Sequence, residues 1–516
     1  MRHRIRSLSK DLAIYGLGDV AVSVVNFLLL PVYVRYLTPD DYGVLALLGG
    51  VEVIAKIFFR CGLDGSFMRF YYDCEDQQAR QRLASTIFFF LLALNGALLV
   101  LSLAFSPALA AYLFDGPRHV LALRLVLLNT FAIGFTFLPF HLLRMEKRTA
   151  EFSMLTLARS VFTFVLRIGL IVGLGYGVLG AVLADLAVTA GVMLVLLPRF
   201  APLIRPMFSR RVLAESLAFG LPRVPHAAAQ QVVAVGDRFM LQMFRPMADV
   251  GVYSMGVTFG LIQKLFLSAF ESAWAPFYYD NARGPDAPRL FSTVTVYVMA
   301  VLALMTAGLS AIGGDLLVAM AGEEYAAGAA VVTWTAVGVL LQGFYLLTSI
   351  GLNITKHTAY YPASTISAAA ANVGLNFLLI PRYGLLGAAW ANAAAYAIQA
   401  GLAYRFSQRF YPVPHDVSRL IRIAGAGAIA CIAGRALPVM PPALGVFARG
   451  ATVLAVYSGL LLAAGVVHTQ EIRRITALRR DIRPGAPVET TEFAGEIVAT
   501  DVPGTPASRG RSDGDA

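Results

Sequence analysis

Apolar runs of about twenty residues recur along most of the chain, separated by short polar stretches. At 1.5 Å per residue, each run is long enough to cross a bilayer as a helix. The pattern predicts about fourteen spans, near 11–35, 43–63, 83–105, 120–141, 152–174, 178–198, 213–244, 250–276, 291–312, 329–351, 362–380, 384–407, 419–437 and 447–468. The connecting stretches alternate in charge. Those after even-numbered spans are basic, among them "RMEKR", "PRFAPLIRPMFSRR" and "RFSQRFYPVPHDVSR". The N-terminal "MRHRIRSLSK" and the late "RRITALRR" match them. Those after odd-numbered spans, such as "YLTPDDYG", "LGYG" and "GGDLLVAMAGEEYAAG", are short or acidic. Basic loops stay cytoplasmic, so the alternation predicts an even span number with both termini cytoplasmic. The first run is long and carries Asp19 and Asn26, so it reads as a retained span and not a cleaved signal.

Polar residues inside the runs fall into stripes, because successive helical residues turn by about 100°. In span seven, Arg223, His226, Gln230 and Asp237 lie within about 60° of one line, with Arg238 on the other flank. Val224, Val232, Val235 and Phe239 form the opposite side. Pro222 and Pro225 each remove a backbone donor and predict a kink. Span two carries Glu52, Lys56 and Arg60 four residues apart. Span eight carries Lys264, Ser268 and Glu271, and span one Tyr15, Asp19, Ser23 and Asn26. Span five carries Arg159, Thr163 and Arg167, while spans nine to fourteen hold mainly amides and hydroxyls such as Gln342, Asn372, Asn376 and Asn392.

A charge at mid-bilayer costs at least about 2.5–3.5 kcal/mol. These groups therefore face one another or a wet cavity. Pairing accounts for some of them: Glu52 with Lys56, Lys264 with Glu271, Asp237 with a neighbouring base. It does not account for all, because Arg60, Arg159, Arg167, Arg223, Arg238 and Lys264 outnumber Asp19, Glu52, Asp185, Asp237 and Glu271. A cationic excess in a membrane cavity points to an anionic cargo, and the planar fork of arginine suits phosphate oxygens. The candidate cargo contacts are Arg60, Arg159, Arg167, Arg223, Arg238, Lys264, Gln230 and Asn26. Asp19, Glu52, Lys56, Asp237, Glu271 and His226 are candidates for coupling or pairing. For His226 a proton-linked role and a structural hydrogen bond are both open. Adjacent residues on a helix do not face each other, so Asp237 and Arg238 are each expected to find a partner on another span.

Composition agrees with the pattern. Of 516 residues, 58% are hydrophobic and 14% charged, with a mean hydropathy of +0.67. A soluble globular chain is about half apolar and a quarter charged, so the surplus must face lipid. The net charge of +11 lies in loops and is explained by topology, not by nucleic acid. Three scattered cysteines, Cys61, Cys74 and Cys431, form no disulfide or metal pattern. The chain has no phosphate-binding loop, no HExxH and no GxSxG, so no catalytic constellation and no cofactor are expected. Residues 484–516 are rich in Gly, Pro, Ser, Thr and acids and are expected to be disordered.

The chain also repeats itself. "EKRTAEFS" (146–153) resembles "TKHTAYYP" (355–362), "GYGVLGA" (175–181) resembles "RYGLLGA" (382–388), and "DDYGVLAL" (40–47) resembles "ADVGVYSM" (248–255). The offsets are about 209, 207 and 208 residues. Three matches in order imply two halves of about six spans each, and an even number gives both halves the same orientation. The predicted fold is an all-α polytopic membrane protein of about fourteen spans. Residues 1–10 form a basic N-terminus, 11–198 an N-lobe, 199–212 a linker, 213–407 a C-lobe, and 419–468 a further helix pair.

"AIYGLGDVAVSVVNFLLLPVYVRYLTPDDYGVLAL", "GDRFMLQMF", "ADVGVYSMG" and "TKHTAYYPASTISAAAANVGLNFLLIPRYGLLGAAWAN" resemble segments of bacterial Wzx-type oligosaccharide flippases, the polysaccharide biosynthesis proteins of the multidrug, oligosaccharidyl-lipid and polysaccharide exporter superfamily. The resemblance runs over roughly residues 8–468. It implies two six-helix lobes in a V, with helices one, two, seven and eight lining the cavity, and a last pair able to hold a lipid tail. It implies a flippase for undecaprenyl-diphosphate-linked oligosaccharide, not an enzyme, in a bacterial cytoplasmic membrane. The expected partners are the lipid-linked oligosaccharide, membrane lipids and export components such as a polysaccharide polymerase. Two other functions stay open. A drug or metabolite cation antiporter of the same superfamily would favour acids and aromatics in the cavity. A scaffold subunit of a polysaccharide synthesis complex would make the cavity charges dispensable.

Overall fold

In the computed structural model, residues 29–466 are described, apart from Asp115 and Lys147. Asp19, Asn26 and the tail at 484–516 lie outside the described residues. The described residues form helices and short connections, without a strand. Eleven helices among them are long and apolar enough to cross a membrane. They match predicted spans two to six, eight to eleven, thirteen and fourteen. Spans seven and twelve also form helices, Val224–Phe244 and Leu385–Phe410. They are not among those eleven: glutamines, His226 and the Asp237–Arg238 pair lower the hydropathy of the first, and amides, glycines, tryptophan and tyrosines that of the second. The chain is a multi-pass membrane protein.

Only the last turns of span one are described, as α1 (Leu30–Tyr36). Span two is α2 (Pro39–Arg60), which opens on a capping box: Thr38 Oγ1 accepts from the Asp41 amide at 3.2 Å, and Asp41 accepts from the Thr38 amide at 3.2 Å. It ends where Cys61 (φ 47°) and Gly62 (φ 70°) turn left-handed, and α3 (Leu63–Tyr71) leaves in a new direction. The first half of the sequence repeat, the N-lobe as its counterpart is the C-lobe, continues through α4 (Gln77–Phe114), α5 (Val120–Met145), α6 (Thr149–Ile168) and α7 (Gly177–Phe200).

Span seven is broken as its prolines require. Helix α8 (Arg210–Gly220) passes through a 3-10 turn at Leu221–Arg223 into α9 (Val224–Phe244). Span eight is also broken, into α10 (Met247–Gly260) and α11 (Lys264–Asn281). Then follow α12 (Ala287–Ala321), α13 (Ala329–Thr348), the short α14 (Ile350–Ile354), α15 (Tyr360–Tyr383), α16 (Leu385–Phe410), α17 (Val417–Arg435) and α18 (Pro442–Ala463).

The repeat is visible in backbone geometry. Gly177 (φ 50°) opens α7 and Gly384 (φ 55°) opens α16, each in a conformation that L side chains resist. One turn later, a Cβ on Gly180 would lie 3.1 Å from the Leu170 backbone, and one on Gly387 would lie 2.4 Å from the Leu379 carbonyl. Both hairpins close on a glycine. The N-lobe hairpin is two residues longer, and a π-turn at Gly169–Gly173 followed by left-handed Gly175 absorbs the excess.

The lobes meet where α2 packs on α9 and α10. A Cβ on Gly43 would lie 2.4 Å from the Met247 carbonyl, and one on Gly251 would lie 1.9 Å from the Pro39 carbonyl. Pro39 and Met247 are 208 residues apart, as are Gly43 and Gly251. The contact is reciprocal, as at the two-fold axis of a dimer. At the other end of α2, Gly62 meets Gly220, with Cβ positions 2.3 and 2.7 Å from the opposing carbonyls. There the Ser66 hydroxyl donates to the Ser216 carbonyl at 2.7 Å. This second contact has no repeat symmetry.

Helices α17 and α18 pack on α12 through Ala303, Ala307, Ala311, Ala426 and Ala430. The Tyr457 hydroxyl donates to the Ala300 carbonyl at 2.7 Å, and Arg449 pairs with Asp315 at 3.2 Å. The last pair is thus joined to the C-lobe. Large apolar side chains such as Phe105, Phe162, Leu194, Ile432 and Phe447 remain exposed, as a lipid-facing surface requires.

Candidate functional site

Two cavities lie in line between the lobes and share Val53 of α2. The upper chamber, of about 390 Å³, is nearer the Gly43–Gly251 contact. Its polar lining is Tyr33, Tyr42, Glu52, Arg167, Asp185, Arg238, Ser254 and Thr258. The lower chamber, of about 540 Å³, is nearer the Gly62–Gly220 contact. Its charged lining is Lys56, Arg60, Asp64 and Arg223, with His141 and Gln231 beside them. Glu52 faces the upper chamber and Lys56, one turn on, the lower. They form an ion pair at the boundary.

Every charge in the upper chamber is matched. Arg167 binds Asp185 through two hydrogen bonds, Nε to Oδ1 at 3.0 Å and Nη2 to Oδ2 at 2.6 Å, and also donates to the Tyr33 hydroxyl. This bidentate geometry is the strong form of the arginine–carboxylate contact. Arg238 donates to the Ala234 carbonyl at 3.0 Å and has its guanidinium 3.5 Å from Asp237. The Tyr42 hydroxyl meets Thr258 Oγ1 at 3.3 Å across the lobe boundary.

The lower chamber is not balanced. Arg60 reaches Asp64 only at 3.8 Å, lies over the Phe137 ring, and leaves its Nε buried without a hydrogen bond. Arg223 lies over the Phe219 ring at 4.2 Å and pairs with no carboxylate among the described residues. With Lys56 neutralised by Glu52, two arginines, Arg60 and Arg223, face one acid, Asp64.

The remaining expected residues fall as follows. Arg159 is half-buried two turns before Arg167 on α6. Lys264 and Glu271 are exposed, and the expected pair between them is not formed: they stand two turns apart on α11, beyond the one-turn spacing that joins side chains. The stripe on α9 is corrected by about one residue. Gln230 is exposed and meets His226 at 3.4 Å, whereas Gln231 lines the lower chamber.

Asp237 likewise turns away from the chambers. It is 2% exposed and accepts from Tyr253 of α10, from the Arg238 amide at 2.9 Å and from Asn392 of α16 at 3.4 Å. Its main partners are therefore on other helices, while Arg238 alone faces the chamber. The break at Leu221–Arg223 sets the phase of α9, and a helical wheel cannot supply that phase.

Tyr33, Tyr42, Asp64, Gln231, Ser254 and Thr258 were not among the expected site residues. Tyr42 and Ser254 lie inside the repeated segments "DDYGVLAL" and "ADVGVYSM", a signal that marked the lobe contact. Asp64 stands at the i+4 pairing distance from Arg60.

A family profile described as polysaccharide biosynthesis protein matches residues 32–327, more than half of the chain and all of the residues that line the two chambers. The chain belongs to that family. No curated protein sequence matches it. Among solved structures, this family member is similar to the lipid II flippase MurJ in an inward closed conformation. The TM-score is 0.68 and the identity 14%, over 87% of this chain and 99% of that one. It is also similar to an inward-facing multidrug resistance MATE family transporter of the MOP superfamily, with TM-score 0.59 and 15% identity over 78% and 96% of the two chains. A mutant of the Vibrio cholerae MATE transporter VcmN gives 0.57 and 15% over 78% and 97%. At these identities the likeness is one of fold.

Proposed function

We propose that this polysaccharide biosynthesis protein is a flippase. It moves an oligosaccharide linked to a polyprenyl diphosphate, undecaprenyl in type, from the inner to the outer leaflet of a bacterial cytoplasmic membrane. The observation that carries the reading is the cationic lower chamber, where Arg60 and Arg223 lack close carboxylate partners. Guanidinium groups without close carboxylates, the half-buried Arg60 and the exposed Arg223, are stabilised by an anion with several oxygens. The loops at that end of α2 and α9 are the basic ones, so the lower chamber faces the cytoplasmic leaflet, where such a lipid is made. A cation antiporter would need cavity acids free to bind its ion. Glu52 and Asp185 of the upper chamber are each engaged by a base, and the loosely held acid of the lower chamber, Asp64, stands among Lys56, Arg60 and Arg223.

Transport follows by alternating access. Separating Gly62 from Gly220 opens the lower chamber, and separating Gly43 from Gly251 opens the upper one. The cavity charges would be dispensable in a scaffold. The test follows lipid-linked oligosaccharide in depleted cells with a membrane-impermeant probe of the outer leaflet. The expected result is accumulation on the cytoplasmic leaflet while synthesis continues. Arrest of synthesis itself would move the protein into the assembly machinery. Normal appearance in the outer leaflet, in a strain with no second flippase, would refute the reading. Arg223→Gln and Arg60→Gln should each slow translocation by roughly ten-fold or more, the loss of one charge-assisted contact of about 1.5–3 kcal/mol.

A further inference from the structure

The two chambers differ in kind, and the difference defines the cargo beyond its diphosphate. We propose that the Glu52–Lys56 pair divides the cavity into an anion chamber below and a neutral polyhydroxyl chamber above, so that the protein accepts cargo whose sugars nearest the diphosphate carry no charge. This rests on the flippase reading.

The upper chamber has two cations, Arg167 and Arg238, and two acids, Glu52 and Asp185. Both oxygens of the Asp185 carboxylate accept from Arg167, which also donates to Tyr33. Arg238 is held by Ala234 and by Asp237 beneath the surface. Glu52 is held by Lys56. A carboxylate entering this chamber would lose its hydration and meet cations already offset by an acid, Arg167 by Asp185 and Arg238 by Asp237. Hydroxyls would find Tyr33, Tyr42, Ser254 and Thr258, which suit neutral sugar. Removal of Asp185 would reverse the preference by freeing Arg167.

The chamber also has room on its α2 wall. Gly49 lines it, and a Cβ there would meet nothing within 4 Å. A side chain at position 49 therefore leaves the α2 backbone without a clash at its Cβ and extends into the upper chamber.

The experiment uses the purified full chain in lipid nanodiscs and measures equilibrium binding of three probes: farnesyl diphosphate, its glucosyl ester and its glucuronosyl ester. The glucosyl probe should bind at least as tightly as farnesyl diphosphate, and the glucuronosyl probe roughly ten-fold or more weakly than the glucosyl one. In Asp185→Asn the glucuronosyl penalty should shrink to about three-fold or less, because Arg167 becomes available. In Gly49→Phe the glucosyl probe should lose affinity while farnesyl diphosphate keeps it. Equal binding of the two glycosyl probes by the wild type overturns the partition and leaves the flippase reading standing. Failure of all three probes to bind overturns the diphosphate reading and the partition with it. The wild-type comparison decides the matter even where a variant fails to fold.

Discussion

In the N-lobe hairpin Arg167 and Asp185 face the upper chamber. The repeat offsets place Asn376 and Asn392 at the corresponding points of the C-lobe hairpin. The two hairpins share their glycines and their close helix contact, yet their polar groups serve different neighbours. Asn392 donates to the Val233 carbonyl at 2.7 Å and to Asp237, and Asn376 donates to Asn372 at 3.0 Å, all within the C-lobe. Arg167 and Asp185 pair with each other at the chamber wall. A doubled chain has kept the same backbone twice and used it once to line a cavity and once to bind a helix in place. The C-lobe still contributes to the cavity, but through Arg223 of the 3-10 turn, Arg238 of α9 and Ser254 and Thr258 of α10, not through its hairpin.

This contrast can be broken at the two buried acids. Asp237→Ala leaves Arg238 without its carboxylate and Tyr253 and Asn392 without their acceptor. It should destabilise the protein by about 3–5 kcal/mol, read as a large drop in thermal midpoint in detergent. Asp185→Ala, on a side chain 27% exposed at a wet wall, should cost clearly less. Equal losses would show that the N-lobe pair is a packing device like its C-lobe neighbour.

The next effect tests the symmetry that the lobes do share. Gly43→Val and Gly251→Val each drive a side chain into the opposing backbone and should cost about 1–3 kcal/mol or more. Because the contact is reciprocal, both should also leave a cysteine placed at Ser254 more open to a water-soluble thiol reagent. A change in only one variant would mean that the contact is not two-fold in function.

A smaller effect depends on pH. In the loop between α16 and α17, burial pushes the His415 imidazole down to about 4. The folded state therefore takes up its proton later than the unfolded state. Stability from this group is fully present above about pH 6.5 and is lost as pH falls from 6.5 towards 4. Thermal midpoints across that window should fall more steeply in the wild type than in His415→Phe. Parallel curves would remove His415 from the account.

The smallest effect is a control. Arg211 and Glu215 pair at 2.9 Å on the outer face of α8, with Arg211 89% exposed. Arg211→Ala should change stability by less than about 0.5 kcal/mol. A larger loss would show that α8 is held to the N-lobe by charge and not by the Gly62–Gly220 contact.

The spans, the repeat and the break between α8 and α9 were legible because each depends on local order. A run of apolar residues is long or short, a proline lacks its donor, and a glycine at the head of α7 or α16 admits a left-handed turn wherever the helix later packs. The expected cationic excess was a sum over side chains, and Arg159, Lys264 and Glu271 of that sum line neither chamber. Sequence by itself thus determined a multi-pass helical body, doubled, with charges that lipid will not tolerate.

It did not determine which charges meet. Arg167 and Asp185 are joined across a hairpin whose register depends on a two-residue excess taken up by a π-turn. Gln231 lines the lower chamber and Gln230 does not, because one residue turns a helix by about 100° and the phase of α9 is set by its break at Leu221–Arg223. The split into a balanced upper chamber and an unbalanced lower one was decided only in the tertiary structure. Pairing energy falls off within a few ångströms, and only packing brings groups from different helices within that distance.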